Sequence, residues 1–303
     1  MSNDNDNRPK EMQEVQKEIM FEEPKTPKSV WRFIIPGIFL VVGLFIGFSF
    51  AMGNFTRNHG GGDFDERFAT HQVNSITTDV STVRIDVKTH NSNDIRVVFA
   101  SPARGNYVRP YWELRPDGTL HIYTRSQPIN FFVNVIVSAV YIYLPVDVTL
   151  DTIDLRSTTG RVEINGRITT NVLNVSVTTG RILIGDITAN ALDARSTTGR
   201  IELVNSNIAG NTELRTTTGR IEIESVSAST ISAIATTGRI AANNVATTGN
   251  LSITTTTGRI DINNSGIGGD LTARATTGGI RLNNVDVNGK KTTTTTTGTV
   301  RMN

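Results

Sequence analysis

The second half of the chain alternates apolar and polar residues in short runs that recur about every 20 positions. Each recurring Thr-Thr-Gly phrase is followed by an alternating run, as at Val162 and Ile164, which flank an acid. Another alternating run precedes the phrase, as at Ile153 and Leu155. A period of two is that of a β-strand with one buried face. The pattern therefore predicts two strands in each repeat, joined at the Thr-Thr-Gly phrase.

The glycine of each phrase marks a predicted corner, because the alternation changes parity there and glycine permits backbone angles that other residues resist. The corner glycines are Gly160, Gly180, Gly199, Gly219, Gly238, Gly258, Gly278 and Gly298. Their spacing of 19 or 20 residues is typical of a solenoid, in which each coil stacks on the next. A short third side with one apolar residue, such as Val226, Val245 or Val285, closes each predicted coil. The predicted fold is an all-β solenoid of about eight coils over residues 151–303.

The last repeat has polar residues where earlier repeats have apolar ones, at Lys291, Thr293 and Thr295. This is what an exposed solenoid coil needs to discourage pairing between edges.

Residues 67–150 are less regular but also rich in alternating runs, and we expect them to form a β-rich cap on the first coil. The segment 131–145, FFVNVIVSAVYIYLP, is a long apolar run. It is rich in β-branched residues and short for a membrane helix, so it predicts one or two strands. The alternative is a partly exposed apolar patch, a feature that marks contact sites.

The region before the cap predicts a membrane anchor. Residues 34–53 are 20 residues without a charge, enough for a helix to cross the ~30 Å hydrocarbon core. Lys25, Lys28 and Arg32 lie just before the run, which by the positive-inside rule makes the N-terminus cytoplasmic and the repeats extracytoplasmic. We expect a disordered or short helical stub at 1–32, a single transmembrane helix in the lipid bilayer at 33–53 and a linker at 54–66.

Gly43 and Gly47 form a GxxxG pair within the predicted helix. Such a pair lets two membrane helices approach closely, and an oligomer or a membrane-protein partner would then result. The alternative is the ordinary frequency of glycine in membrane helices.

Composition excludes several functions. With 30 Lys and Arg against 28 Asp and Glu, no global field steers the chain to nucleic acid. The absence of cysteine excludes disulfides, thiol nucleophiles and Cys-ligated zinc. The four histidines lie outside the repeats and show no metal-ligand spacing. The sequence contains no GxSxG motif, phosphate-binding loop or HExxH motif. We expect no enzyme activity, no cofactor and no metal.

One charged row follows the corners. An arginine comes directly after six of the corner glycines: Arg161, Arg181, Arg200, Arg220, Arg239 and Arg259. An acid follows two residues later in four repeats, whereas Leu183 and Ala241 take its place in the other two and are expected to leave positive charge unbalanced. The row has two interpretations: a solvated face of paired charges, or a ladder that binds an anionic cell-wall polymer.

The segment YIYLPVDVTLDTIDLRSTTGRVEI at 141–164 and the coils after it resemble the bacterial "putative adhesin" or toastrack domain. The anchor followed by repeats is also similar to LiaG-like proteins of envelope-stress signalling. The resemblance covers about 75–303 and implies a β-solenoid at the cell envelope, with no catalytic residues to carry over. The chain departs from the family pattern because arginine, rather than Asp or Asn, mostly follows the corner glycine.

Two functions are consistent with these observations. The first is a non-enzymatic, adhesin-like binding or scaffold module, anchored in the cell membrane and acting outside the cytoplasm. The second is an accessory of envelope-stress signalling that contacts another membrane protein through the GxxxG pair or the 131–145 run.

Overall fold

The computed structural model describes residues 64–100, 106–107, 110–124, 135–136 and 138–303 of the chain. The predicted stub at 1–32, the membrane helix at 33–53 with its Gly43 and Gly47, and residues 54–63 of the linker lie outside the described residues. Within the described ranges no helix is long and apolar enough to cross a membrane. All described residues fall in one compact unit.

The described secondary structure is β apart from one short 3-10 helix, Thr70–Gln72. The strands before the repeats are β1 (Phe64–Ala69), β2 (Ser75–His90), β3 (Asp94–Ala100), β4 (Asn106–Tyr107), β5 (Pro110–Leu114), β6 (Thr119–Thr124), β7 (Val135–Ile136) and β8 (Ser138–Pro145). The strands of the repeats are β9 (Thr149–Val204), β10 (Asn207–Glu224), β11 (Ser227–Thr237), β12 (Ile240–Asn243), β13 (Ala246–Thr247), β14 (Leu251–Thr257), β15 (Ile260–Ile267), β16 (Leu271–Thr277), β17 (Ile280–Val287), β18 (Lys291–Thr297) and β19 (Val300–Met302).

The repeats stack in parallel, and equivalent residues lie over one another. Gly219 pairs with Gly199 and Ile221 with Ile201 where β10 lies on β9. The same registration continues from β12 to β15, β17 and β19. Strand β9 runs without a break for 56 residues and so includes several corners of the solenoid. The described chain is thus an all-β solenoid, as the repeat predicted.

The predicted cap is built partly like a coil. Strand β2 pairs in parallel with β9 on both sides of a corner, from Ser75 opposite Thr152 to Lys88 opposite Asn165. Strands β8 and β6 lie on the other side of β2, while β3, β1 and β5 add antiparallel pairings. The β structure begins at Phe64, three residues before the predicted start of the cap at 67, because β1 pairs with β3.

The core is filled by rows of aliphatic side chains from the predicted inward positions. Ile153 and Leu155 on one side, and Val162 and Ile164 on the other, are buried, as are their equivalents in every later coil except the last. The row is continuous, so the hydrophobic effect acts along the whole stack rather than within one coil.

The third side of each coil buries two positions rather than the single predicted one. Val226 and Ala228 both face inward, as do Val245 and Thr247. This side begins at a second corner, which the sequence reading missed. Its residues have left-handed φ angles of 47–55° and are Asp186, Asn205, Ser225, Asn244, Asn264 and Asn284. Asparagine and aspartate tolerate this conformation better than most residues. Their recurrence at this position was the sequence feature that could have predicted the second corner.

The apolar run at 131–145 is a strand over its second half. Val140, Ile142 and Leu144 of β8 are buried between β2 and β3, so this half is core and the exposed-patch alternative is wrong there. The first half lies outside the described residues, except for the two residues of β7.

Candidate functional site

The arginine row lies on the outer face of the solenoid, just beyond the Thr-Thr-Gly corner. Extended backbone places residues one and three after the corner glycine outward and residues two and four inward. The side chains of five of these arginines are 36–45% exposed: Arg161, Arg181, Arg200, Arg220 and Arg239. One guanidinium per coil therefore faces solvent along the solenoid.

Most of the row is paired with acids of the same face. Arg161 and Arg220 bind the acid two residues along, with distances of 2.7 Å to Glu163 and 3.1 Å to Glu222. Arg200 lies 3.0 Å from Glu202 and 4.0 Å from Glu222, which joins two coils.

Arg181 and Arg239 are also paired, although neither has an acid two residues along in its own coil. Glu202 is shared with Arg200, so the row still has more arginines than acids, as the absence of acids at Leu183 and Ala241 predicted. Arg181 binds Glu202 of the following coil, and Arg239 Nε lies 2.8 Å from Asp261 Oδ2. Sequence spacing missed these pairs because the acid comes from the next coil, about 20 residues on.

Glu202 joins two arginines of the row from neighbouring coils. It accepts hydrogen bonds from both Arg181 and Arg200. Burial acts to raise the pKa of Glu202, but these two hydrogen bonds and the charges of the arginines together lower it below its ordinary value. The carboxylate therefore stays ionised although its residue is only 8% exposed.

The row extends into the cap through Arg84, which the sequence reading did not include. Arg84 lies 2.8 Å from the buried Asp86 and 3.3 Å from Glu163. The signal was present in the run 82–89, where Arg84 and Asp86 repeat the spacing of Arg161 and Glu163 without the Thr-Thr-Gly phrase.

A second set of arginines lies before the corner, on the strand that contains Leu155 and its equivalents. Arg156 lies 2.7 Å from Asp154, Arg195 lies 2.6 Å from Asp193, and Arg215 binds Glu213. Each acid is two residues earlier on the same outward face, so these three charges are compensated within their own coils.

The row ends in a different environment. Arg259 is exposed, and no ion pair joins it to any residue that the structure describes. The acid two residues along, Asp261, is 2.8 Å from Arg239 instead.

A polar groove of about 630 Å³ borders the second corner in the first coils. Its wall includes Asp147, Arg167, Asp186, Asn205 and Ser225. The sequence reading missed it because it depends on the left-handed residues that turn the chain there.

The histidines of the cap have structural contacts. The His90 ring nitrogen Nε2 lies 2.6 Å from the carbonyl of Asp94, and His121 Nδ1 lies 2.8 Å from the Thr77 hydroxyl. Within the described residues no group of three or more His, Asp or Glu gathers as a metal site would require.

Two solved structures resemble this fold. A "putative adhesin" from Parabacteroides distasonis is 15% identical with a TM-score of 0.54, over 80% of this chain and 98% of that one. A "putative adhesin" from Bacteroides fragilis is 18% identical with a TM-score of 0.49, again over 80% of this chain and 98% of that one. The first of these supports the fold.

A comparison with curated proteins gives no match. The family described as Toastrack DUF4097 matches residues 73–267, which include β2, β9 and six of the eight corner glycines. This range is more than half of the chain and contains all six arginines of the row. The chain belongs to the Toastrack DUF4097 family.

Proposed function

We propose that this protein is a non-enzymatic, adhesin-like binding or scaffold module of the cell envelope, which holds anionic wall polymer on its arginine row. The observation that carries the proposal is the row itself: one half-exposed guanidinium per coil on a rigid stack. Neighbouring strands are ~4.8 Å apart, so the row presents regularly repeated cationic donors.

Ion pairing does not remove the binding capacity of these arginines. A guanidinium has five N–H donors in a planar fork, and one carboxylate uses at most two of them. A polymer with repeated anionic groups could bridge successive coils and gain avidity from many weak contacts.

The membrane anchor is part of the proposal. The uncharged run 34–53 and the basic residues before it support a single-pass helix with a cytoplasmic N-terminus. The solenoid would then stand outside the membrane, where wall polymer is found. The fold neighbour from Parabacteroides distasonis is described as a "putative adhesin", and a binding role agrees with that description.

The test is co-sedimentation of the full chain, purified in a non-ionic detergent, with insoluble phosphate-bearing bacterial cell wall across a salt series. We expect retention at low salt that falls steeply as salt rises, because screening weakens contacts between exposed charges. Insoluble cellulose, which is neutral, is the matched control matrix. Failure of the folded protein to sediment with the wall at low salt would refute the proposal.

The second candidate function is that of an accessory in envelope-stress signalling, and the observation that favours it is the GxxxG pair of Gly43 and Gly47. It predicts a membrane-protein partner whose association depends on this pair. Cross-linking in membranes distinguishes the two: a partner lost in a Gly43→Leu, Gly47→Leu variant supports signalling, and wall retention unaffected by these changes supports the binding module.

A further inference from the structure

The charges of the solenoid are distributed unevenly along its axis. Residues 149–257 contain nine arginines and nine acids. Residues 258–303 contain six basic residues and only three acids. The coils after Gly258 therefore have a net positive charge, while the coils before them are neutral.

The imbalance arises from an exchange of residue types in one row. The third residue after the corner glycine is an acid in several coils, as at Glu202, Glu222 and Asp261. The next two coils have Arg281 and Arg301 at this position, and the registration places Asp261, Arg281 and Arg301 on consecutive strands. In the coil of Arg281, Gly279 occupies the place that arginine has in earlier coils.

Three arginines of these coils make no ion pair with any described residue, although Asp261 lies beside Arg281 on the neighbouring strand. Arg259, Arg281 and Arg301 are exposed, and none of them makes an ion pair with any residue in the described part of the chain. The nearest acid in the row, Asp261, is 4% exposed and is in contact with Arg239. Asp286 follows the second corner at Asn284 and so lies on the third side of its coil.

The three arginines form a cationic strip along the solenoid axis. Arg281 and Arg301 are in register on adjacent strands, about 4.8 Å apart at the backbone, and like charges at that spacing repel by roughly 1 kcal/mol in water. No ion pair of Arg281 or Arg301 with a described residue offsets this cost. A ligand with repeated negative charges would offset it by bridging the two guanidinium groups.

We propose that this strip, Arg259, Arg281 and Arg301, is the primary binding site for a phosphate-bearing polymer, and that the paired arginines of the earlier coils contribute less. The inference rests on the proposed function and assigns its site. Phosphate is the favoured anion because it matches the guanidinium fork in two-point contacts. A linear polymer is favoured over a compact ligand because the free charges lie along the axis and not around a pocket.

The experiment measures binding of fluorescently labelled linear polyphosphate to the full chain in non-ionic detergent by anisotropy. One variant has Arg259→Ser, Arg281→Ser and Arg301→Ser. The matched control has Arg156→Ser, Arg195→Ser and Arg215→Ser, which removes the same three positive charges from exposed but paired positions. Circular dichroism confirms that both variants fold.

We expect the strip variant to bind polyphosphate about tenfold more weakly, since three exposed charge contacts are lost together. The control variant should stay within about twofold of the wild type, because its arginines are already compensated. Equal losses in both variants would overturn the inference, because binding would then follow net charge alone.

Further arms test the ligand class. Binding of polyglutamate as tight as that of polyphosphate would overturn the preference for phosphate. Binding to anionic phospholipid vesicles without binding to polyphosphate would replace the polymer with a lipid surface. If the wild type and the strip variant both sediment with cell wall equally well, the proposed function stands and this site is refuted. A folded wild type that binds neither wall nor polyphosphate refutes both.

Discussion

At the corner glycines, the stacking distance between coils excludes any side chain. A Cβ atom on Gly219 would lie 1.6 Å from the carbonyl oxygen of Gly199, and one on Gly238 would lie 1.5 Å from that of Gly219. The φ angle of Gly219 is 154°, which other residues rarely adopt. The carbonyl oxygen of the preceding coil therefore occupies the space that a side chain would need at this corner. The coils approach as closely there as in the flat strands.

Replacing Gly219 by alanine should therefore destabilise the fold by about 3 kcal/mol or more, since the clash is with backbone that belongs to a fixed ladder. The measurement is the free energy of unfolding from urea titration of the full chain. Gly266→Ala is the control, because a Cβ there meets nothing within 4 Å. It should be neutral or stabilising by up to about 1 kcal/mol. Equal effects at both positions would contradict the stacking argument.

The sequence predicted the corner at each of these glycines, but for an incomplete reason. The change of parity across Thr-Thr-Gly indicated a bend, and the conformational freedom of glycine explained it. The close approach of the preceding coil could not be read from one repeat, because it is a contact between residues 19 or 20 positions apart. Inward hydroxyls reinforce the same corner, as where Thr255 donates to the Gly238 carbonyl at 3.2 Å.

Between strands, the charged face is held together by acids that accept from two coils at once. Glu202 joins Arg181 and Arg200, and Glu163 joins Arg84 and Arg161. Such pairs are partly exposed, so each contributes modestly, but Glu163 links the cap to the first coil and Glu202 links the coils of Arg181 and Arg200. Their value for the fold lies in fixing the registration of the stack.

Glu202→Gln should lower the free energy of unfolding at pH 7 by about 1 to 2 kcal/mol. We expect the loss to fall at the lower end of this range, because solvent screens the half-exposed arginines. The folded pKa of Glu202 lies below the ordinary value of 4.5. The carboxylate therefore adds stability above pH 4.5, and this stability is lost as the pH falls through the lower folded pKa. The difference between wild type and variant should accordingly shrink as the pH falls below about 4.5.

Urea titrations at a series of pH values measure this dependence. Glu224→Gln is the matched control, because Glu224 is exposed at the end of the next strand, β10, and makes no ion pair within the described residues. Its effect should stay within about 0.5 kcal/mol at every pH. A pH-independent loss in Glu202→Gln would mean that packing, and not charge, explains it.

Over the whole molecule, each coil is in contact only with its neighbours, so stability should vary along the stack. Strand β14 lies between β11 and β16 and buries Leu251 and Ile253. Strand β18 has Lys291, Thr293 and Thr295 in the equivalent positions. The apolar row that holds the earlier coils together therefore ends before β18.

Native-state hydrogen exchange should reveal this gradient. Amides of β18 are expected to exchange at least about tenfold faster than those of β14, because opening β18 exposes little apolar surface. Mass spectrometry of peptides covering Leu251–Thr257 and Lys291–Thr297 measures both rates in one sample. Equal protection of the two strands would show that the stack opens as one cooperative unit.

The sequence alone determined the features that depend on residues close along the chain. Alternation fixed which residues face the core, the period fixed the stacking of like on like, and the uncharged run predicted a membrane anchor that lies outside the described residues. Tertiary structure alone decided what depends on contacts one coil away. It paired Arg181 and Arg239 with acids of the next coil and left Arg259, Arg281 and Arg301 without partners. The reason is physical: a solenoid brings together residues about 20 positions apart, and only the registration of its strands tells which charges meet.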